Sequence, residues 1–144
     1  MVAGAGTAIN RRKVKAGEMP RLFWICLAGA AGTAARHLVS LWSAQRLGAA
    51  LPYGTLIVNL SGCFLIAVVM HVAMANAWPA TLRLALTVGF LGGFTTYSSF
   101  NYETTRMLEE GATGAAALNA LLTLAGGFAA GWIGLMAGRQ LIGR

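Results

Sequence analysis

The sequence predicts an all-α membrane protein with four transmembrane helices, the third broken at its centre. Three observations carry that expectation. The 144 residues are 57% hydrophobic and only 10% charged, whereas ordinary soluble domains are about one quarter charged. With a mean hydropathy of +0.65, the chain lacks the polar surface to coat a globule. Four long apolar segments follow a basic N-terminal stretch, and the third contains the glycine- and hydroxyl-rich run Gly89-Phe-Leu-Gly-Gly-Phe-Thr-Thr-Tyr-Ser-Ser-Phe-Asn-Tyr-Glu103. The expected organisation is a disordered basic cytoplasmic tail, residues 1–20, followed by one membrane domain, residues 21–141.

The tail is Gly/Ala-rich and carries Arg11, Arg12, Lys13 and Lys15. A nucleic-acid role fits that patch less well than the positive-inside rule, because the basic run stops where a hydrophobic span begins. The first span runs from about Arg21 to Ala44 and is interrupted only by Arg36 and His37. Its opening, Leu22 to Ala30, has the look of a signal-peptide core, but apolar sequence continues beyond it and three more spans follow. A loop with Arg46, Gly48 and Pro52 leads to the second span, roughly Tyr53 to Ala75. Asn76, Trp78 and Pro79 mark the next turn, with Trp78 placed as an interfacial anchor. The third span covers about Ala80 to Leu108 and ends at Glu109, Glu110 and Gly111; the fourth covers about Thr113 to Ala137. Four crossings put both termini on one side. That side holds Arg11, Arg12, Lys13, Lys15, Arg21, Arg83, Arg139 and Arg144 against Glu18, while the other holds Arg46 and Arg106 against Glu103, Glu109 and Glu110. The bias points both termini toward the cytoplasm. Cys26, Cys63, His37 and His71 form no cluster with metal-ligand spacing, so the cysteines read as small apolar residues and the histidines as polar residues near helix ends.

Polar groups at membrane depth are costly and need a reason. Asn59, in the apolar Leu56-Ile-Val-Asn-Leu60, either bonds a neighbouring helix or offers its amide to an anion in a pore; the residues leave both open. Asn119 and Thr123 are spaced i,i+4 with Gly127 next on the same face, a thin polar stripe suited to a narrow path. Gly127-x-x-x-Gly131 and Gly134-x-x-x-Gly138 read as helix-packing motifs. In the third span Thr95 and Ser99 share a face, as do Thr96 and Phe100, and Tyr97 and Phe100 are i,i+3 neighbours. A kink expected at Gly92-Gly93 frees carbonyls that can hold a cation. The N–H groups opening the second half-helix favour anions, and so do aromatic ring edges. Irregular backbone survives at this depth only when buried in protein or lining an aqueous path. The run therefore points to an ion pathway, although composition alone does not name the ion. No nucleotide loop, metalloprotease motif, nucleophile elbow or pair of intramembrane carboxylates is present, so nothing recommends an enzyme.

The run Gly89 to Glu103 closely resembles the third-helix signature of the Fluc (CrcB) fluoride channels, and Gly54-Thr-Leu-Ile-Val-Asn-Leu-Ser-Gly62 resembles that family's second-helix motif. Arg36 and Trp78-Pro79 fit as well, and the resemblance covers about Leu22 to Leu141. It implies a multi-pass protein of the bacterial inner membrane, an antiparallel, dual-topology dimer with two fluoride pores along its interface. On this resemblance Asn59 lines the pore, Tyr97 and Phe100 turn ring edges to the ion, and Ser98, Ser99, Asn119 and Thr123 place polar groups along it. Glu103 matches an acidic residue late in the third helix. The backbone carbonyls of Gly92 and Thr95 match those that hold a structural sodium ion, Na+, at the dimer centre. Arg36 either snorkels to the interface or draws anions to a pore mouth. Fluoride trapped in a cell after entry as HF would leave passively, down its gradient. The implied partners are fluoride, the lipid bilayer and a second copy, or else an oppositely oriented paralogue; nucleic acid is not among them. The chain departs from the pattern with Tyr at 97, where Phe is commoner, with Gly127 where some members have Ser, and with its strong charge bias. A small multidrug-type transporter needs a carboxylate in its first helix, where this chain has Arg36. A non-transporting membrane scaffold explains the glycines but not Asn59 together with Thr95 to Phe100.

Overall fold

A computed structural model describes residues 4–48 and 50–143, with side chains from residue 18 onward. The described residues build helices and no strand: α1 (Gly4–Leu47), α2 (Tyr53–Ala75), α3 (Ala80–Leu84), a π-helical segment (Ala85–Leu91), α4 (Gly92–Phe94), α5 (Tyr97–Glu109) and α6 (Thr113–Leu141). Three stretches are long and apolar enough to cross a membrane: Glu18–Leu47, Tyr53–Ala75 and Thr113–Leu141. The stretch from Ala80 to Glu109 is apolar in its first half but divided into short pieces, so no single helix in it has crossing length. The backbone of residues 4–20 continues α1 as helix, where the sequence reading expects a disordered tail. The side chains of Arg11, Arg12, Lys13 and Lys15 lie outside those described.

Turn chemistry sets the ends. Pro52 precedes α2, and Asn76 closes it by donating from Nδ2 to the Val72 carbonyl at 2.9 Å. Ala77 adopts φ 47 and Pro79 restarts the chain in extended geometry. Gly111, at φ 77, turns α5 into α6, a left-handed position that favours glycine.

Close backbone approach organises the packing. α2 lies along α6, and a Cβ at Gly134 would collide with the Phe64 carbonyl oxygen; at Gly138 it would sit 3.0 Å from His71 Cβ. Gly134 and Gly138 are therefore packing residues, as their spacing predicts, whereas Gly127 and Gly131 meet only Cys63, at 3.5 and 3.8 Å, and line cavities. α1 lies against the π segment and α4. A Cβ at Gly93 would collide with the Gly29 carbonyl oxygen. Few apolar side chains are buried, whereas Phe128 and Trp132 are 81% and 65% exposed. Apolar surface on that scale belongs against lipid or another chain.

The break in Ala80–Glu109 is central, but it is not at Gly92-Gly93. Gly92 is helical (φ −64, ψ −38), and the chain extends at Thr95 (φ −84, ψ 160) and Thr96 (φ −153, ψ 118). Gly93 lets α4 approach α1, whereas the extension is stabilised from α2.

Candidate functional site

Asn59, on α2, reaches across to the break. Its Oδ1 accepts from the Thr96 N–H at 2.8 Å, and its Nδ2 donates to the Thr96 carbonyl at 2.9 Å. One side-chain amide thus replaces the helical acceptor that the Thr96 N–H forgoes and adds a donor to the Thr96 carbonyl. Since a primary amide has two N–H donors, one remains for another acceptor. Thr96 then caps α5: its Oγ1 accepts from the Ser99 N–H at 3.2 Å and lies 3.1 Å from Ser99 Oγ and 3.2 Å from Ser98 Oγ.

These diversions affect two particular carbonyls. In an unbroken helix Gly92 would receive the Thr96 N–H and Thr95 the Ser99 N–H. Those donors go instead to Asn59 Oδ1 and Thr96 Oγ1, which removes the i+4 helical donor from each carbonyl. Thr95's own hydroxyl and N–H both turn back to the Leu91 carbonyl, at 2.9 and 3.0 Å. A Cβ at Gly62 would strike Thr95 Cγ2, so α2 needs glycine where the break passes.

A cavity of ≈ 450 Å³ opens beside the break, lined by Asn59, Gly92, Thr95, Tyr97, Phe100 and Thr123, among others. Tyr97 and Phe100 are paired, with ring centroids 5.8 Å apart and planes at 56°. Phe100 is 7% exposed and fixed, whereas Tyr97 is 75% exposed. Thr123 Oγ1 is buried without a hydrogen-bond partner among the described residues. No charged side chain lines this space. It is an apolar chamber with a few oriented donors.

A family described as CrcB-like protein, Camphor Resistance (CrcB), matches residues 23–135. The chain belongs to the CrcB family. A protein named Fluoride-specific ion channel FluC from Sorangium cellulosum is 48% identical over 125 residues, covering 86% of this chain and 98% of the relative. Proteins of the same name from Anaeromyxobacter dehalogenans and Citrifermentans bemidjiense are 47% and 45% identical, over 87% and 85% of this chain and 100% of each relative.

In this CrcB chain the sequence-predicted residues divide into three groups. Asn59, Gly92, Thr95, Tyr97, Phe100 and Thr123 share the cavity. Ser98 and Ser99 do not line it; their hydroxyls lie against Thr96 Oγ1. Asn119, Glu103 and Arg36 also stand outside the lining. Asn119 is 1% exposed and donates to Thr104 Oγ1 at 2.9 Å, while Thr104 Oγ1 donates to the Phe100 carbonyl at 2.7 Å. It ties α6 to α5 rather than continuing the Thr123–Gly127 stripe. Glu103 Oε1 accepts from Thr55 Oγ1 at 2.8 Å, leaving Oε2 buried without a partner among the described residues. Arg36 is half-buried on α1.

Two further residues belong to the site's geometry. Thr96 was paired with Phe100 as a face neighbour, yet Thr before Tyr-Ser-Ser has the form of an N-cap. Cys63, read as inert, lines the cavity one turn from Asn59, and its i,i+4 spacing was the signal. Among the described residues no group of three or more His, Cys, Asp or Glu side chains is arranged to hold a metal ion.

Proposed function

We propose that this chain is a fluoride-selective passive ion channel that releases cytoplasmic fluoride across the bacterial inner membrane. It works as a multi-pass membrane channel and not as an enzyme. The observation that carries the reading is the two-point clasp of Asn59 on Thr96, which holds the broken segment open beside the Tyr97–Phe100 pair. Relatives of near-full coverage named fluoride-specific ion channels support the choice of ion.

The physical argument is dehydration. Fluoride is small and strongly hydrated, so a pathway must replace its water with donors held in place. The second N–H of Asn59, the unpartnered Thr123 hydroxyl and the ring edges of Tyr97 and Phe100 have that character. An apolar wall without fixed charge lets the ion leave again, and a narrow chamber disfavours larger chloride.

In this reading Ala80–Glu109 crosses the membrane as two half-helices, making four crossings, and two copies pair in opposite orientations to close two pores. Ser98 and Ser99 support the break, Glu103 and Asn119 brace α5, and Arg36 faces a vestibule. The carbonyls of Gly92 and Thr95, deprived of helical donors, suit an oxygen-seeking monovalent cation such as Na+ at the dimer centre. Bound there, it would supply positive charge opposite the two break points.

The test is fluoride efflux from liposomes holding the purified chain alone, followed with a fluoride electrode and compared with chloride efflux. Fluoride release that depends on a potassium ionophore, without chloride release, is the expected outcome. A well-folded chain that releases neither ion, or both equally, refutes the reading.

A further inference from the structure

The site cavity does not end at Asn59. A second cavity of ≈ 680 Å³ runs on between α2 and α6 and shares Cys63, Ile66, Gly127 and Phe128 with the first. Along α2 the shared wall follows Asn59, Cys63, Ile66 and Met70, a stripe at i,i+4 and i,i+3 spacing on one helix face. Its far end reaches His71, twelve residues beyond Asn59, or about 18 Å along the axis. That distance is more than half of a hydrocarbon core of about 30 Å.

His71 is the one ionisable ring in a wall otherwise made of aliphatic, aromatic, Met and Cys side chains. Its Nε2 is buried and has no hydrogen-bond partner among the described residues, an arrangement that calls for an explanation. The ring lies against α6 at Gly138, where any larger residue would crowd it: an added Cβ would stand 3.0 Å from His71 Cβ and 3.3 Å from Cδ2. On its other side is a cavity of ≈ 460 Å³ lined by His71, Met74, Ala75, Arg139 and Ile142. No carboxylate lines either space. Arg139, from α6, enters no salt bridge among the described residues. Arg83, from α3, sets its Nη1 3.0 Å from the Sδ of Met74, which lines both cavities. On α1, Arg21 and Glu18 pair with each other at 3.3 Å.

We infer that His71 and Arg139 form an anion-recruiting mouth, a binding site for a small monovalent anion at the shared end of α2 and α6 that feeds the chamber at Asn59. The role in conduction rests on the channel reading; the binding itself does not. A protonated imidazole donates from Nε2 into the cavity, with the guanidinium beyond it attracting the same charge. A neutral imidazole either turns a lone pair toward the anion or donates without charge. Recruitment therefore strengthens when the imidazole gains its second proton.

Two measurements test this, and the first needs no transport. The chain has only two histidines, so isotope-labelled imidazoles in detergent micelles resolve by NMR, with His71→Gln assigning the pair. Added sodium fluoride should move the titration midpoint of His71 upward and leave His37 in place; Arg139→Gln should shrink the shift. An unmoved His71 overturns the site. The second is fluoride efflux from liposomes at a mildly acidic and at a mildly alkaline pH, with the leak of protein-free vesicles subtracted. The wild type should release fluoride several-fold faster at the lower pH, and His71→Gln should lose that dependence. Equal rates in the wild type, or a dependence that survives in His71→Gln, overturn the mouth. Should the Gln variant not fold, the wild-type and Arg139→Gln titrations decide. A chain that binds fluoride at His71 and conducts none at either pH supports the site and refutes the channel.

Discussion

At the scale of single residues, Asn59 meets the first of the two alternatives its sequence position leaves open, a bond to a neighbouring segment. It bonds a neighbouring segment through both ends of its amide and still lines the cavity with an N–H to spare. Asn59→Asp keeps the acceptor for the Thr96 N–H but sets a second acceptor against the Thr96 carbonyl. Losing that bond costs about 1–3 kcal/mol, which corresponds to roughly a 5- to 150-fold drop in rate if it falls on the conducting state. Efflux from liposomes should show that loss with the protein still monodisperse, and a wild-type rate in Asn59→Asp would remove Asn59 from the pathway. The aromatic pair separates differently. No hydrogen bond of the Tyr97 hydroxyl is found among the described residues and the residue is 75% exposed, so Tyr97→Phe should keep fluoride efflux near the wild-type rate. Phe100→Ile deletes a fixed ring edge from the chamber and should abolish most of the flux. Equal losses in the two variants would mean that the Tyr97 hydroxyl handles the ion as well as the Phe100 ring edge.

At the scale of elements, the break in Ala80–Glu109 is held by a cap and by a helix distant in sequence. Thr96 Oγ1 accepts the Ser99 N–H, and loss of such an N-cap costs about 1 kcal/mol. Thr96→Val should lower the unfolding midpoint measured in detergent, while Thr96→Ser should retain it; equal midpoints for the two would deny the cap its role. The same segment shows how much of the fold was legible. Hydropathy and turn residues were enough to bound α2 at Tyr53–Ala75, because both ends are local events at Pro52 and Asn76. The break was legible only as a region. Gly92-Gly93 drew the expectation because glycine lowers helix propensity, yet tight packing against α1 accounts for Gly93 there. The extended pair Thr95–Thr96 depends on Asn59, thirty-seven residues away, and no local pattern encodes such a partnership. Asn119 has a partner that was equally illegible. Periodicity put it on a stripe with Thr123, but its side chain found Thr104 on α5, a contact that helix spacing alone cannot predict.

At the scale of the whole molecule, the surface is unsatisfied in a way that specifies its surroundings. Phe128, Trp132, Leu121 and Tyr97 are all more than half exposed, and the cavity beside Tyr97 opens toward that apolar surface, so one chain alone does not enclose a path. A second copy in the opposite orientation would enclose it, but the charges resist that arrangement. If Ala80–Glu109 makes the fourth crossing, eight basic residues fall on the side of the termini against Glu18, and two on the other side against three glutamates. Basic residues near the ends of a span bias insertion, whereas acidic ones contribute little. Half of the eight, Arg11, Arg12, Lys13 and Lys15, belong to the first twenty residues. The homodimer therefore requires that closing the chamber outweigh the bias, so that both orientations accumulate. This is measurable with a cysteine placed at Gly111, in the turn between α5 and α6, after Cys26 and Cys63 are replaced by alanine. A membrane-impermeant maleimide applied to intact spheroplasts should label about half of the chains, because half expose that turn outside. Removing residues 1–17 should leave that fraction unchanged if the pairing dominates. Complete labelling of the full chain would establish one orientation and assign the opposite half of the channel to a paralogue; the liposome assay on the chain alone should then show no flux until that partner is added.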